Sequence, residues 1–194
     1  ADKETKTIFT DIITGKLIPD QGSIEWAKNV RIGCLRLENI PEKGMTIHQV
    51  LKSAFSYLYD LELKLNSLCK EIIDGEPDNL IAIMEEFGAI QDTLDNNSFY
   101  TIDSKVEEIS CALGLDAIGL NKDVSELSTS QKRKVLLAKL LLEKPDLLLL
   151  DEPTIYLDTV QVEWLKLYLQ NYENAFILFS QDVSFFNSVI NIVY

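Results

Sequence analysis

The chain has 194 residues, 46% hydrophobic and 25% charged, with a formal charge of −13 and eight glycines. That length and balance describe one globular unit with a real core, which excludes a disordered chain. The acidity excludes a protein that wraps nucleic acid over its whole surface, and the longest apolar stretches fall far short of the about 20 residues of a membrane span.

The first 59 residues carry a net charge of +1. Within them Arg31-Ile32-Gly33-Cys34-Leu35-Arg36-Leu37 predicts a strand. From position 46 to 69 the apolar residues Ile47, Val50, Leu51, Ala54, Leu58, Leu61, Leu65 and Leu68 recur every three or four positions, which predicts one amphipathic helix. Asp74-Gly75-Glu76-Pro77-Asp78 breaks it, and proline is suited to open the next helix. Leu80, Ile83, Met84, Phe87, Ile90 and Leu94 define that second helix, and a third spans about 103–113. Residues 60–126 hold sixteen acids and four bases, net −12, so nearly all the negative charge sits here, as on a solvated helical face.

The remainder, net −2, reads as α/β. A helix over 135–143 leads through Lys144-Pro145-Asp146 to a buried strand at 147–150. A helix over 159–172, a buried strand over 175–179 and a last strand over 190–194 follow, an alternation that indicates a parallel sheet. The cysteines Cys34, Cys69 and Cys111 are odd in number and widely spaced, which fits a reducing compartment better than disulfides or a zinc site. With no apolar signal region at the start, a cytoplasmic protein is expected. The single histidine, His48, on the first turn of a helix, reads as structural.

Chemistry concentrates in Leu147-Leu148-Leu149-Leu150-Asp151-Glu152-Pro153-Thr154. A buried strand ending in two carboxylates delivers them to the carboxyl edge of a sheet, where α/β proteins bind ligands. One acid can hold Mg²⁺ and the other can orient or deprotonate water. The same acids could instead cap the helix that follows, and these residues alone leave both readings open.

The surrounding order narrows the choice. Ser125-Glu126-Leu127-Ser128-Thr129-Ser130-Gln131 precedes the strand, Tyr156-Leu157-Asp158 follows it, and Ser180-Gln181-Asp182 follows the next strand. This series of signature, Walker B, D-loop and switch resembles the ATP-binding cassette (ABC) proteins. Lys6-Thr7, with Gly15 and Gly22 at the expected distance, is similar to the end of a Walker A loop. The hairpin before the signature, together with Gly22-Ser23-Ile24-Glu25-Trp26, resembles the arm insertion in the first cassette of the ABC-F class.

The resemblance implies a P-loop NTPase-like ABC cassette, a partly parallel sheet flanked by helices with an inserted α-helical hairpin arm. It divides the chain into a first part of the ATP-binding core (1–45), the arm (46–100) and a helical subdomain with the rest of the core (101–194). It implies Glu152 as catalytic base and Asp151 and Thr7 as Mg²⁺ ligands. Lys6, Thr7, Ser128, Gln131, Gln181 and Asp158 would bind ATP. A second cassette and the ribosome are the implied partners, without membrane or sequence-specific DNA contact, although a net charge of −12 suits RNA phosphates poorly. A strand ahead of the loop is also implied, and something must cover the sheet edge it would occupy.

Several positions depart from the family pattern. Lys3 and Thr5 stand where the phosphate loop has glycine, and Thr129 and Ser130 where the signature has it; no glycine follows Gly119. Leu37 replaces the glutamine expected after the early strand, Gln181 the switch histidine, and Ile155 and Tyr156 the D-loop pair. The expected function is therefore ATP binding with possible hydrolysis and a translation role. The alternatives are a degenerate, non-hydrolysing scaffold and the cassette of an ABC transporter.

Overall fold

The computed structural model describes residues 3–35, 44–74 and 79–190. Three strands, β1 (Ile32–Cys34), β2 (Leu147–Asp151) and β3 (Ala175–Phe179), form a parallel sheet in the order β1-β2-β3. The four leucines of β2 are all buried, because this strand lies between two neighbours and beneath helices on its faces. β3 also forms where expected, but only Leu178 within it is buried; it is an edge among the described residues, which corrects the expectation of a buried strand.

The helices are α1 (Lys3–Ile13), α2 (Ile47–Lys52), α3 (Ser56–Asp74), α4 (Leu80–Asn96), α5 (Ile102–Ala112), α6 (Thr129–Glu143), α7 (Thr159–Gln170) and α8 (Val183–Val189). The α/β half contains α1, the three strands, α7 and α8. The helical half is inserted between β1 and β2, and α6 joins the two by packing on α2, α5 and β1. The break at 74–78, Leu37 and the last strand expected at 190–194 fall on or beyond the border of the described residues; Ile190 itself is not in a strand.

The single helix expected over 46–69 is divided. Thr46 and Gln49 form a reciprocal cap that starts α2, which buries Ile47, Val50 and Leu51. A 3-10 turn, Ser53–Phe55, then separates α2 from α3. The Ser53 hydroxyl donates to Val50 O (2.7 Å), a back-bond of the kind that bends helices. The apolar stripe crosses the turn unbroken, so periodicity alone could not reveal it.

α3 and α4 pack as a hairpin, with Lys64 paired to Glu86 and Tyr57 Oη donating to Asn97 Oδ1 (2.9 Å). The α4 stripe is only partly covered: Ile90 and Leu94 are buried, whereas Leu80 and Met84 are exposed. At the base of the arm Lys52 pairs with Asp103 (2.6 Å), and His48 Nε2 lies 3.9 Å from the same carboxylate.

Gly33 marks where β1 meets the rest of the core. A Cβ there would lie 2.5 Å from Leu140 Cδ1 and 2.6 Å from Pro145 Cγ. Leucine can rotate away, but the proline ring cannot. Gly33→Ala is expected to destabilise the fold by about 1–3 kcal/mol, the usual range for overpacking, read as a lower urea midpoint at unchanged slope.

Candidate functional site

The carboxyl end of β2 delivers two carboxylates into different surroundings. Asp151 ends the strand with its side chain 51% exposed. Glu152 leaves the strand with φ +48°, a left-handed conformation that costs a non-glycine residue roughly 1–3 kcal/mol. It is held there from several sides. Its N–H donates to Phe179 O (2.8 Å), and Oε2 accepts from the Gln181 N–H (3.0 Å). The backbone strain thus turns the Glu152 carboxylate back towards α1 and the start of the segment after β3.

Lys6 of α1 meets both acids. Its Nζ lies 2.9 Å from Glu152 Oε1 and 3.4 Å from Asp151 Oδ1, and 5.8 Å from the centroid of the Phe179 ring. Burial works to lower the Lys6 pKa, but the hydrogen bond to Glu152 and the two negative charges outweigh it and hold the pKa above the ordinary value. Lys6 therefore remains a cation throughout the neutral range. Thr10, one turn on, donates its hydroxyl to Lys6 O (2.8 Å), and Phe9 stacks edge-on against Phe179 at 5.8 Å. These contacts fix α1 over the sheet edge.

Lys6, Thr7, Thr10, Asp151 and Arg133 line a cavity of about 220 Å³. Its groups are a lysine, an arginine, hydroxyls and a half-exposed carboxylate, a set able to receive phosphate oxygens and a hard cation. Among the described residues no three His, Cys, Asp or Glu side chains could hold a metal by themselves. A carboxylate beside a hydroxyl nevertheless fits Mg²⁺, which takes one or two protein oxygens and completes its shell with phosphate and water.

Other residues singled out from sequence take up local roles. Ser128 and Gln131 form a reciprocal cap on α6, with Ser128 Oγ accepting from Gln131 N (3.3 Å) and Gln131 Oε1 from Ser128 N (3.0 Å). Thr129 and Ser130 occupy the first turn of α6, and Ser130 Oγ lies 3.0 Å from Ser128 Oγ. Asp158 caps α7 by accepting from Gln161 N (2.9 Å). Gln181 reaches Glu152 through its main-chain N–H. Thr5 lies inside α1, so its backbone does not need the left-handed freedom of glycine.

Sequence reasoning missed Arg133, Thr10 and Phe179. Arg133 stands two residues beyond Gln131, and its guanidinium lies 5.4 Å from the Tyr156 ring centroid, joining the start of α6 to the turn after β2. Its Nε is buried and unpartnered among the described residues. Thr10 was accessible from helical spacing, at four residues from Lys6. Nothing local marks Arg133.

The chain is similar to known proteins in sequence and in fold. A family model described as "ABC transporter" matches residues 5–155. The chain is 58% identical over all 194 residues to the uncharacterized ABC transporter ATP-binding protein YfmM of Bacillus subtilis, spanning 38% of that protein. It is 32% identical over 184 residues to the energy-dependent translational throttle protein EttA of Mycobacterium tuberculosis, covering 95% of this chain and 32% of EttA. The chain thus spans about a third to two fifths of the length of these relatives. An ATP-binding subunit of an ABC transporter superposes with a TM-score of 0.63 at 13% identity, over 97% of this chain and 68% of the other, a likeness of fold.

Proposed function

This chain belongs to the ABC transporter family, and on that premise we propose that it is an ABC-F-class cassette that binds Mg-ATP and hydrolyses it beside a second cassette. The observation that supports the reading is the Lys6 bridge to Asp151 and Glu152, which gathers a lysine and two carboxylates at one sheet edge. In this reading Lys6 exchanges its carboxylate partners for the β and γ phosphates. Thr7 and Asp151 would hold Mg²⁺, which would supply charge neutralisation for the phosphates. Glu152, released by Lys6 and still oriented by the Gln181 N–H, takes the proton of the attacking water. The remaining free N–H groups at the start of α6, beside Ser128 and Gln131, face the γ phosphate of the second cassette, with Asp158 and the Gln181 side chain at the border.

The α3–α4 hairpin and the name of the EttA relative support action on the ribosome in the cytoplasm. Among the described residues no helix is long and apolar enough to cross a membrane. A second reading, a cassette that holds its partners without hydrolysis, is favoured by two observations. Lys6 already satisfies both carboxylates, and Ser128 already occupies the Gln131 N–H that the signature would offer.

Calorimetry tests the first step. ATP with Mg²⁺ is expected to bind the chain, and Lys6→Ala to weaken that binding by tenfold or more, since a charge-assisted contact contributes about 1.5–3 kcal/mol. Absence of binding by the unsubstituted chain would overturn the proposal. Co-sedimentation of the longer natural protein with ribosomes tests the partner.

A further inference from the structure

Arg133 lines the cavity beside Lys6, yet the fold makes little use of its charge. It stands half-buried on α6, with Nε fully buried and without a hydrogen-bond partner. Among the described residues no carboxylate lies within ion-pair distance of its guanidinium. Asp151 shares the cavity, but its carboxylate meets Lys6 (3.4 Å) and not Arg133. The Tyr156 ring centroid lies 5.4 Å from Cζ.

A buried N–H without an acceptor weakens a fold rather than supporting it. The Tyr156 ring steadies the cation by its face and leaves the N–H donors for an oxygen acceptor. That acceptor has to be anionic to match a part-buried guanidinium, and it has to fit a cavity of about 220 Å³ that Lys6 and Thr7 also line. A phosphate chain meets both conditions, since the planar fork of arginine holds two phosphate oxygens at once. The two cations of the cavity also differ in readiness. On the proposed function Lys6 gives up two carboxylates to meet a phosphate, whereas Arg133 gives up none.

We propose that Arg133 binds the phosphate chain of the nucleotide in this chain's own cavity, alongside Lys6. The inference rests on the phosphate site of the proposed function and adds a residue to it. That reading aims the start of α6 at the nucleotide of the second cassette. Arg133 then gives the same helix a hold on the nucleotide of its own cassette, so one rigid element touches both.

Calorimetry of the whole chain with Mg-ATP and, separately, with sodium tripolyphosphate reads the contact with and without the nucleoside. Arg133→Met keeps the apolar stem and a contact with the ring but removes the charge. It is expected to weaken both ligands by about tenfold or more, and Arg133→Lys to restore part of the loss. The free Arg133→Met chain should have an unchanged or higher urea midpoint, because the lost Nε–H had no acceptor. A midpoint that falls together with affinity would assign Arg133 to the fold and overturn the proposal. Undiminished binding of both ligands by Arg133→Met would overturn it and leave the ATP reading standing. A loss with Mg-ATP alone would place Arg133 on the nucleoside and also overturn it. Tripolyphosphate binding that depends on Arg133, in a chain that ignores Mg-ATP, would uphold the phosphate contact and sink the ATP reading. Binding of neither ligand by the unsubstituted chain would overturn both.

Discussion

Glu152→Gln is expected to reduce Mg-dependent ATP turnover by 100-fold or more while leaving ATP affinity unchanged or higher. The first effect follows from removal of a general base, whose contribution is typically about 10²–10⁴-fold. The second follows from the Lys6 bridge. On the proposed function, Lys6 of the unsubstituted chain must leave Glu152 Oε1, 2.9 Å away, before it can serve a phosphate. Glutamine keeps an oxygen for the Gln181 N–H but carries no charge to retain the lysine. Loss of turnover with retained binding therefore marks Glu152 as the base. Phosphate release and calorimetry on the longest natural protein supply the two readings. Turnover within threefold of the unsubstituted protein would remove Glu152 from that role.

Leu148→Ala is expected to produce the largest loss of stability among single truncations, about 2–5 kcal/mol. Leu148 is 0% exposed and is the second residue of the central strand, opposite Gly33 on one side and Phe176 on the other. Neighbours on both sides limit how far the cavity can collapse. Leu63→Ala, at a residue 67% exposed on the arm, serves as the contrast and should stay within about 0.5 kcal/mol. Urea unfolding followed by tryptophan fluorescence measures both. Comparable losses at the two positions would show that stability is not concentrated in β2.

The α/β half was legible because its strands are short apolar runs with clear ends. Pro145 and Pro153 bracket β2, and the acids that end it report which edge of the sheet it serves. The helical half was legible as periodicity but not as packing. The stripe on α4 reads as a core-facing surface, yet Met84 is exposed, because a two-helix hairpin offers cover on one side only. The Ser53 back-bond leaves the spacing of apolar residues untouched and so leaves no trace in a periodicity argument.

In the site, Asp151 and Glu152 could be read from one strand, and Lys6 from its distance to two glycines. The bridge between them could not, since Lys6 and Glu152 are 146 residues apart. The left-handed backbone of Glu152 was equally hidden, because no glycine or asparagine announces it. Ser128 and Gln131 illustrate the reverse problem. A serine three residues before a glutamine at the start of an apolar run is also a helix-start signature, and the cap is what these two residues form.

The order of the strands also has a bearing on how the chain folds. β2 and β3 pair across 28 residues, with Leu147 opposite Ala175, and α7 alone fills the crossover. β1 and β2 pair across 115 residues, with Ile32 opposite Leu147, and the whole helical half lies between them. Closing the longer loop from an unfolded chain costs about 1.2 kcal/mol more, at about 0.6 kcal/mol for each of two doublings in length. Prior formation of the helical half would shorten that search by holding its two ends together through α6. The arm and its neighbours are then more than an appendage of the sheet: they are the splint on which its first strand is set.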